Sequence, residues 1–162
     1  MISFNADEVY EMAEQIERNG AAYYRTAADA LESEPLQRML LDLARMEDDH
    51  EKTFQEMRRS LPPAQRTAEK FDPTGEGALY LHAMVQGRVF DPRAEAAQRI
   101  AGAGDAADIL RTAIEMEKDS IVFYLAVKKA IASDEGRAKV DEIIEQEMGH
   151  VATLGKQLAE LA

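Results

Sequence analysis

A shift of 100 places lays one part of this chain on another without a gap: Ala13 on Ala113, Glu17 on Glu117, Tyr24 on Tyr124 and Leu43 on Ile143. Each copy carries apolar residues spaced alternately three and four apart, the period of an amphipathic helix, and neither shows strand-like alternation. A helix with one apolar stripe must bury it against other elements, so a duplicated pair of such helices restricts the chain to an all-α bundle of two repeated hairpins.

The stripes place the helices. The first runs from about Asn5 to Ser33 through Tyr10, Ala13, Glu17, Gly20, Tyr24, Ala27 and Leu31. The second begins near Pro35, a favoured first-turn residue, carries Leu36, Leu40, Leu43, Glu47, His50, Phe54 and Met57, and stops at Pro62-Pro63. A third, about Asp105 to Ser133, repeats the first stripe as Leu110, Ala113, Glu117, Ser120, Tyr124, Val127 and Ile131. The fourth follows a turn expected at Ser133 to Gly136, carries Val140, Ile143, Glu147, His150 and Leu154, and ends near Leu161. One domain over residues 1–162 is expected, with hairpin 1 at about 5–60, a crossover at about 61–104 and hairpin 2 at about 105–161. The crossover is too long for a plain loop. Gly77 to Gln86 and Pro92 to Ile100 read as short helices within it, covering one side or end of the bundle.

Six polar residues interrupt the apolar seams. Glu47/His50 and Glu147/His150 form two Glu-x-x-His pairs at the same 100-residue offset, and Glu17 and Glu117 each precede a pair by 30 residues. Residues three apart share a helix face, so each Glu and His can reach one point. Within a hairpin, residues equidistant from the turn lie at the same height. Here the midpoints fall at 32–33.5 and 132–133.5, close to both expected turns, so all six groups belong to one layer.

Four carboxylates in an apolar interior cost several kcal/mol per ion if unpaired. No Lys or Arg occupies a seam position in that layer; Arg18 and Lys118 lie one residue off the stripe. A metal-free layer of Glu–His pairs leaves four carboxylates against two imidazoles, whereas two divalent cations balance them. Carboxylate with imidazole suits iron or manganese, and also zinc.

Other positions carry a functional and a plain reading. Gly20 and Ser120 leave volume beside the glutamates for a diatomic or a peroxide; alternatively, Asn19-Gly20 is a turn that breaks the first helix. Tyr24 and Tyr124, about two turns beyond Glu17 and Glu117, are placed to hydrogen-bond a ligand carboxylate from the facing helix or to intercept an oxidising equivalent, or else are core aromatics. Glu14 is a seventh ligand or a solvated glutamate, its counterpart being Ile114. His82 reads as an ordinary residue of the crossover, and the methionines as core packing.

The composition excludes several classes. With no cysteine, the chain has no disulfide, Cys-ligated zinc, rubredoxin-type iron, iron–sulfur cluster or thiol nucleophile. A net charge of −12 without a Lys/Arg cluster argues against nucleic acid. The N-terminus lacks a signal-peptide pattern and the longest apolar run, Ile121 to Val127, is too short to span a bilayer, so a soluble cytoplasmic protein with no membrane partner is expected.

A Glu from each of two helices plus a Glu-x-x-His from each of the other two is the ligand pattern of ferritin-like dimetal proteins. Through Glu17, Glu117, Glu47/His50 and Glu147/His150, with the hairpin repeat and long crossover, the whole chain resembles the ferritin-like superfamily, specifically its rubrerythrin-like branch. The resemblance implies an antiparallel four-helix bundle and a centre of two iron ions, with manganese or zinc as alternatives. It also implies an oxidoreductase that reacts with O2 or hydrogen peroxide, of ferroxidase or peroxidase type. It implies iron(II) and a separate electron donor as partners, since there is no rubredoxin-like tail, and a homodimer or larger homo-oligomer. The chain departs from the branch at Ser120, where rubrerythrins carry an extra glutamate, which puts efficient rubrerythrin-type peroxidase chemistry in doubt. The competing functions are metal storage, delivery or structural binding with little turnover, dimanganese catalase-like disproportionation, and an acidic docking module.

Overall fold

The computed structural model describes residues 5–66, 92–131 and 133–161, all helix or short connection. The long helices are α1 (Ala6–Ala30), α2 (Glu34–Arg59), α5 (Ala106–Ala130) and α6 (Asp134–Glu160); a single turn α3 (Pro63–Arg66) and a short helix α4 (Pro92–Ala101) lie between the pairs. The expected helix at Gly77 to Gln86, with His82, lies outside the described residues.

The repeat holds at the helix ends. α1 and α5 start at Ala6 and Ala106, and α2 and α6 at Glu34 and Asp134. Asn5 caps α1 with a capping box to Glu8, and Asp105 caps α5 by accepting from the Asp108 amide. Three-residue turns join each pair, and the side chains at 37 and 137 close them in the same way: Gln37 donates to the Leu31 carbonyl and Arg137 to that of Ile131. The expected turn at Ser133 to Gly136 is in fact the first turn of α6, because Ser133 caps the Gly136 amide and the helix starts immediately. A Cβ on Gly136 would lie 2.7 Å from Ile131 Cγ2 and 2.8 Å from Ser133 Oγ. Bulk is exchanged here between the hairpins: Leu36 is buried where its repeat mate is Gly136, and Ile131 is buried where its mate Leu31 is only half-buried.

α1 packs along α2 and α5 along α6, while α4 lies against α1. The core is two apolar clusters. One joins the start of α1 (Val9, Ala13) to the ends of α2 and α5 (Phe54, Tyr124, Val127) and the start of α6 (Val140, Ile143). The other joins the opposite ends, through Tyr24, Ala27, Leu40, Leu110 and Leu154, and includes Ala96 of α4. This pairing makes α1 antiparallel to α5 and α2 parallel to it. A chain leaving α2 at one end must therefore travel the length of the bundle before α5 begins, which is why the connection is long. The architecture is the expected all-α bundle of two repeated hairpins. No helix among the described residues is long and apolar enough to cross a membrane.

Candidate metal centre

Between the two apolar clusters lies the polar layer. Glu17 from α1, Glu47 and His50 from α2, Glu117 from α5, and Glu147 and His150 from α6 are each 3 % exposed or less. All six sequence-derived residues come together. They form two overlapping groups, Glu17/Glu47/His50/Glu147 and Glu47/Glu117/Glu147/His150, and within each group the candidate ligand atoms lie within 4.8 Å of one another. Glu47 and Glu147 belong to both.

Glu147 divides its oxygens between the halves, with Oε1 3.0 Å from His50 Nδ1 and Oε2 2.8 Å from His150 Nδ1. His50 Nδ1 also lies 3.4 Å from Glu17 Oε2, and His150 Nδ1 lies 3.2 Å from both Glu47 Oε1 and Glu117 Oε1. The two imidazoles are near parallel, with centroids 5.8 Å apart.

Burial alone would lower the pKa of His50, but the carboxylates of Glu147 and Glu17 prevail and push it up to about 11. His150 likewise rises to about 12 against its burial, through Glu117, Glu147 and Glu47. Burial raises Glu17 and Glu117 well above the usual carboxylate range, and the neighbouring Glu47 adds to it. Glu147 is held at about 2, its burial outweighed by the imidazoles of His150 and His50. Without metal, protons on these groups stand where the expected cations would balance the charge. The hydrogen-bond geometry makes the stronger case. Glu17 Oε2, Glu47 Oε1, both oxygens of Glu147 and His50 Nδ1 are buried without a well-directed hydrogen bond, close to one another but not bonding. Such orphaned groups are costly. A divalent cation in each group would use them, and the all-oxygen-and-nitrogen donor set suits iron, manganese or zinc.

The tyrosines clasp the layer from outside. Tyr24 of α1 donates to Glu117 Oε1 of α5, and Tyr124 of α5 donates to Glu17 Oε1 of α1. Each hairpin thereby holds a carboxylate of the other, the facing-helix bond expected from spacing. Both phenols are pushed well above their ordinary pKa by burial and the adjacent carboxylates, so they remain donors.

Gly20 continues α1 rather than breaking it, and a Cβ there would sit 2.8 Å from Glu47 Oε2. With Ser120, Tyr24, Glu47 and Glu117 it lines a cavity of about 20 Å³, room for one water-sized molecule. Glu14 is not solvated: it is 6 % exposed, lies 3.5 Å from Arg58 and 3.6 Å from Arg18, and belongs to neither ligand group. One contact at the layer was not foreseen: Gln146 Oε1 lies 2.7 Å from His50 Nε2. Its repeat mate is Met46, so a search for duplicated polar positions passes over it.

Residues 8–85 match the Rubrerythrin family, a span that holds Glu17, Glu47 and His50. The full chain superimposes on a Thermotoga maritima protein whose crystal structure is described as that of a ferritin-like diiron-carboxylate protein. The TM-score is 0.72 at 20 % identity, covering 100 % of this chain and 99 % of the other. The fold is ferritin-like, and the first half of the chain is similar to rubrerythrins. No curated protein matches it. The family match ends before α5, so the second half of the centre is tied to the first by the repeat and the fold. Together with the two overlapping ligand groups, these support a dimetal site.

Proposed function

We propose that the centre holds two iron ions and reacts with O2 or hydrogen peroxide, as a rubrerythrin-like oxidoreductase of ferroxidase type. The observation that carries this reading is the sharing of Glu47 and Glu147 between two ligand groups, since paired metals with common carboxylates suit two-electron chemistry on a small oxidant. Iron is favoured by the description of the Thermotoga protein as diiron. Two iron(II) ions held there would supply one electron each, which with two protons suffices to reduce one peroxide to two waters.

The chain's own residues set the conditions. Glu17 with His50 would serve one metal position, Glu117 with His150 the other, and Glu47 with Glu147 both. Tyr24 and Tyr124 hold Glu117 and Glu17 in place and keep their own protons. The apolar clusters at each end exclude bulk water, while the small cavity at Gly20 and Ser120 lies beside the carboxylates on the side where a small oxidant would approach. At position 120 a serine whose hydroxyl donates to the Met116 carbonyl replaces the extra glutamate of rubrerythrins, which favours iron(II) oxidation over peroxidase turnover. Electrons for repeated turnover would come from a separate donor or from fresh iron(II), and a homo-oligomer is the proposed assembly.

Stopped-flow absorbance after mixing the iron(II)-loaded protein with O2 or peroxide tests the reading. Rapid oxidation is expected, and its loss in Glu47→Ala/Glu147→Ala. Absence of rapid oxidation, or wild-type rates in the double variant, would overturn it in favour of metal binding without turnover.

A further inference from the structure

The two halves of the centre have the same ligands but different support. His50 Nε2 is 2.7 Å from Gln146 Oε1, so it donates to a carbonyl oxygen and leaves Nδ1 turned toward Glu17 and Glu147. His150 presents Nδ1 to its own carboxylates in the same way, but its buried Nε2 has no hydrogen-bond partner among the described residues. The repeat supplies the reason. The residue that corresponds to Gln146 is Met46, whose thioether is only a weak acceptor. Met39, Leu43 and Met46 line, with His150, a groove of about 660 Å³ between α2 and α6. One imidazole is fixed in tautomer and orientation by an amide; the other has no such acceptor at its outer nitrogen.

We propose that Gln146 is a positioning residue that makes the two metal positions unequal: the His50 half binds first and more tightly, and the His150 half is the labile one. The inference rests on the dimetal reading but not on any reaction at the centre. Hydrogen bonds to the far nitrogen of a ligand histidine orient the ring and raise its basicity, and their removal costs about 10–100-fold in metal affinity. The two positions should therefore differ by about that factor. A tight position and a labile one suit a protein that keeps one ion while exchanging the other.

The test is an anaerobic titration of the full-length metal-free protein with cobalt(II), followed by its visible absorption bands and by calorimetry. Wild type should fill in two steps separated about 10–100-fold. Gln146→Met should weaken the first step until the two converge, Gln146→Glu, which keeps an acceptor oxygen, should preserve it, and Met46→Gln should tighten the second step. His150→Ala should retain the tight step and His50→Ala should lose it. Positions 46 and 146 are on the exposed surface of long helices, and unchanged helical circular dichroism checks the fold. Two ions of equal affinity in wild type, or a Gln146→Met curve that superimposes on it, would overturn the inequality while leaving the metal centre standing. No bound cobalt in wild type would remove the dimetal reading itself, and this inference with it.

Discussion

Gly20→Ala should stabilise the metal-free protein and weaken its metal binding, two effects of opposite sign from one added methyl group. Alanine in a helix interior is favoured over glycine by about 1 kcal/mol. For a chain of this size that corresponds to a rise in Tm of about 2–4 °C. The new methyl group would sit 2.8 Å from Glu47 Oε2, where ordinary contact begins at 3.4 Å, so the carboxylate must retreat by about 0.6 Å. Without metal this is the free end of a side chain beside a small cavity, and the shift is cheap. With metal, ligand distances hold within about 0.2 Å, so the same shift cannot be absorbed. Because Glu47 belongs to both ligand groups, each ion should lose at least about tenfold in affinity, about 1.4 kcal/mol. Thermal melts of the metal-free variant and cobalt(II) or iron(II) titrations read the two effects separately. A lower Tm with unchanged affinity would refute the reasoning, since it would place the added methyl against the backbone core rather than against the ligand.

Metal loading at pH 7 should release protons, because His50 and His150 are raised to about 11 and about 12 and Glu17 and Glu117 are also raised. Groups with raised pKa hold protons that a metal must displace, so affinity falls as pH falls and grows with rising pH; calorimetry in buffers of different ionisation enthalpy counts the protons, and zero release would contradict the assignment. Tyr24→Phe and Tyr124→Phe should each destabilise the metal-free protein by about 1–3 kcal/mol in urea unfolding, since each leaves a buried carboxylate short of a donor. Glu14→Gln should leave both cobalt(II) steps within about twofold of wild type while costing up to about 1 kcal/mol of stability through its ion pairs with Arg18 and Arg58. A metal affinity that drops in this variant would make Glu14 a ligand after all.

The helices and the six-residue layer were legible because both depend on periodicity. A buried face recurs every three to four residues whatever it packs against, so Glu17, Glu47 and His50 on apolar stripes betray an interior polar site, and an exact repeat supplies its other half. Turn chemistry was less legible. Ser133 could open a loop or cap a helix, and only the hydrogen bond to the Gly136 amide decides. Glu14 looked solvated because Arg58, at the far end of α2, lies 44 residues away in sequence.

By itself, then, the sequence determined a duplicated helical hairpin and the residues of a metal layer, since local period and residue type are properties of each segment alone. Only the tertiary structure decided that Glu47 and Glu147 serve both halves, that each tyrosine holds the other hairpin's carboxylate, and that Gln146 supports one histidine and not the other. Those relations join side chains from different helices. Their distances depend on how the helices pack, which the residue pattern of any one helix does not contain.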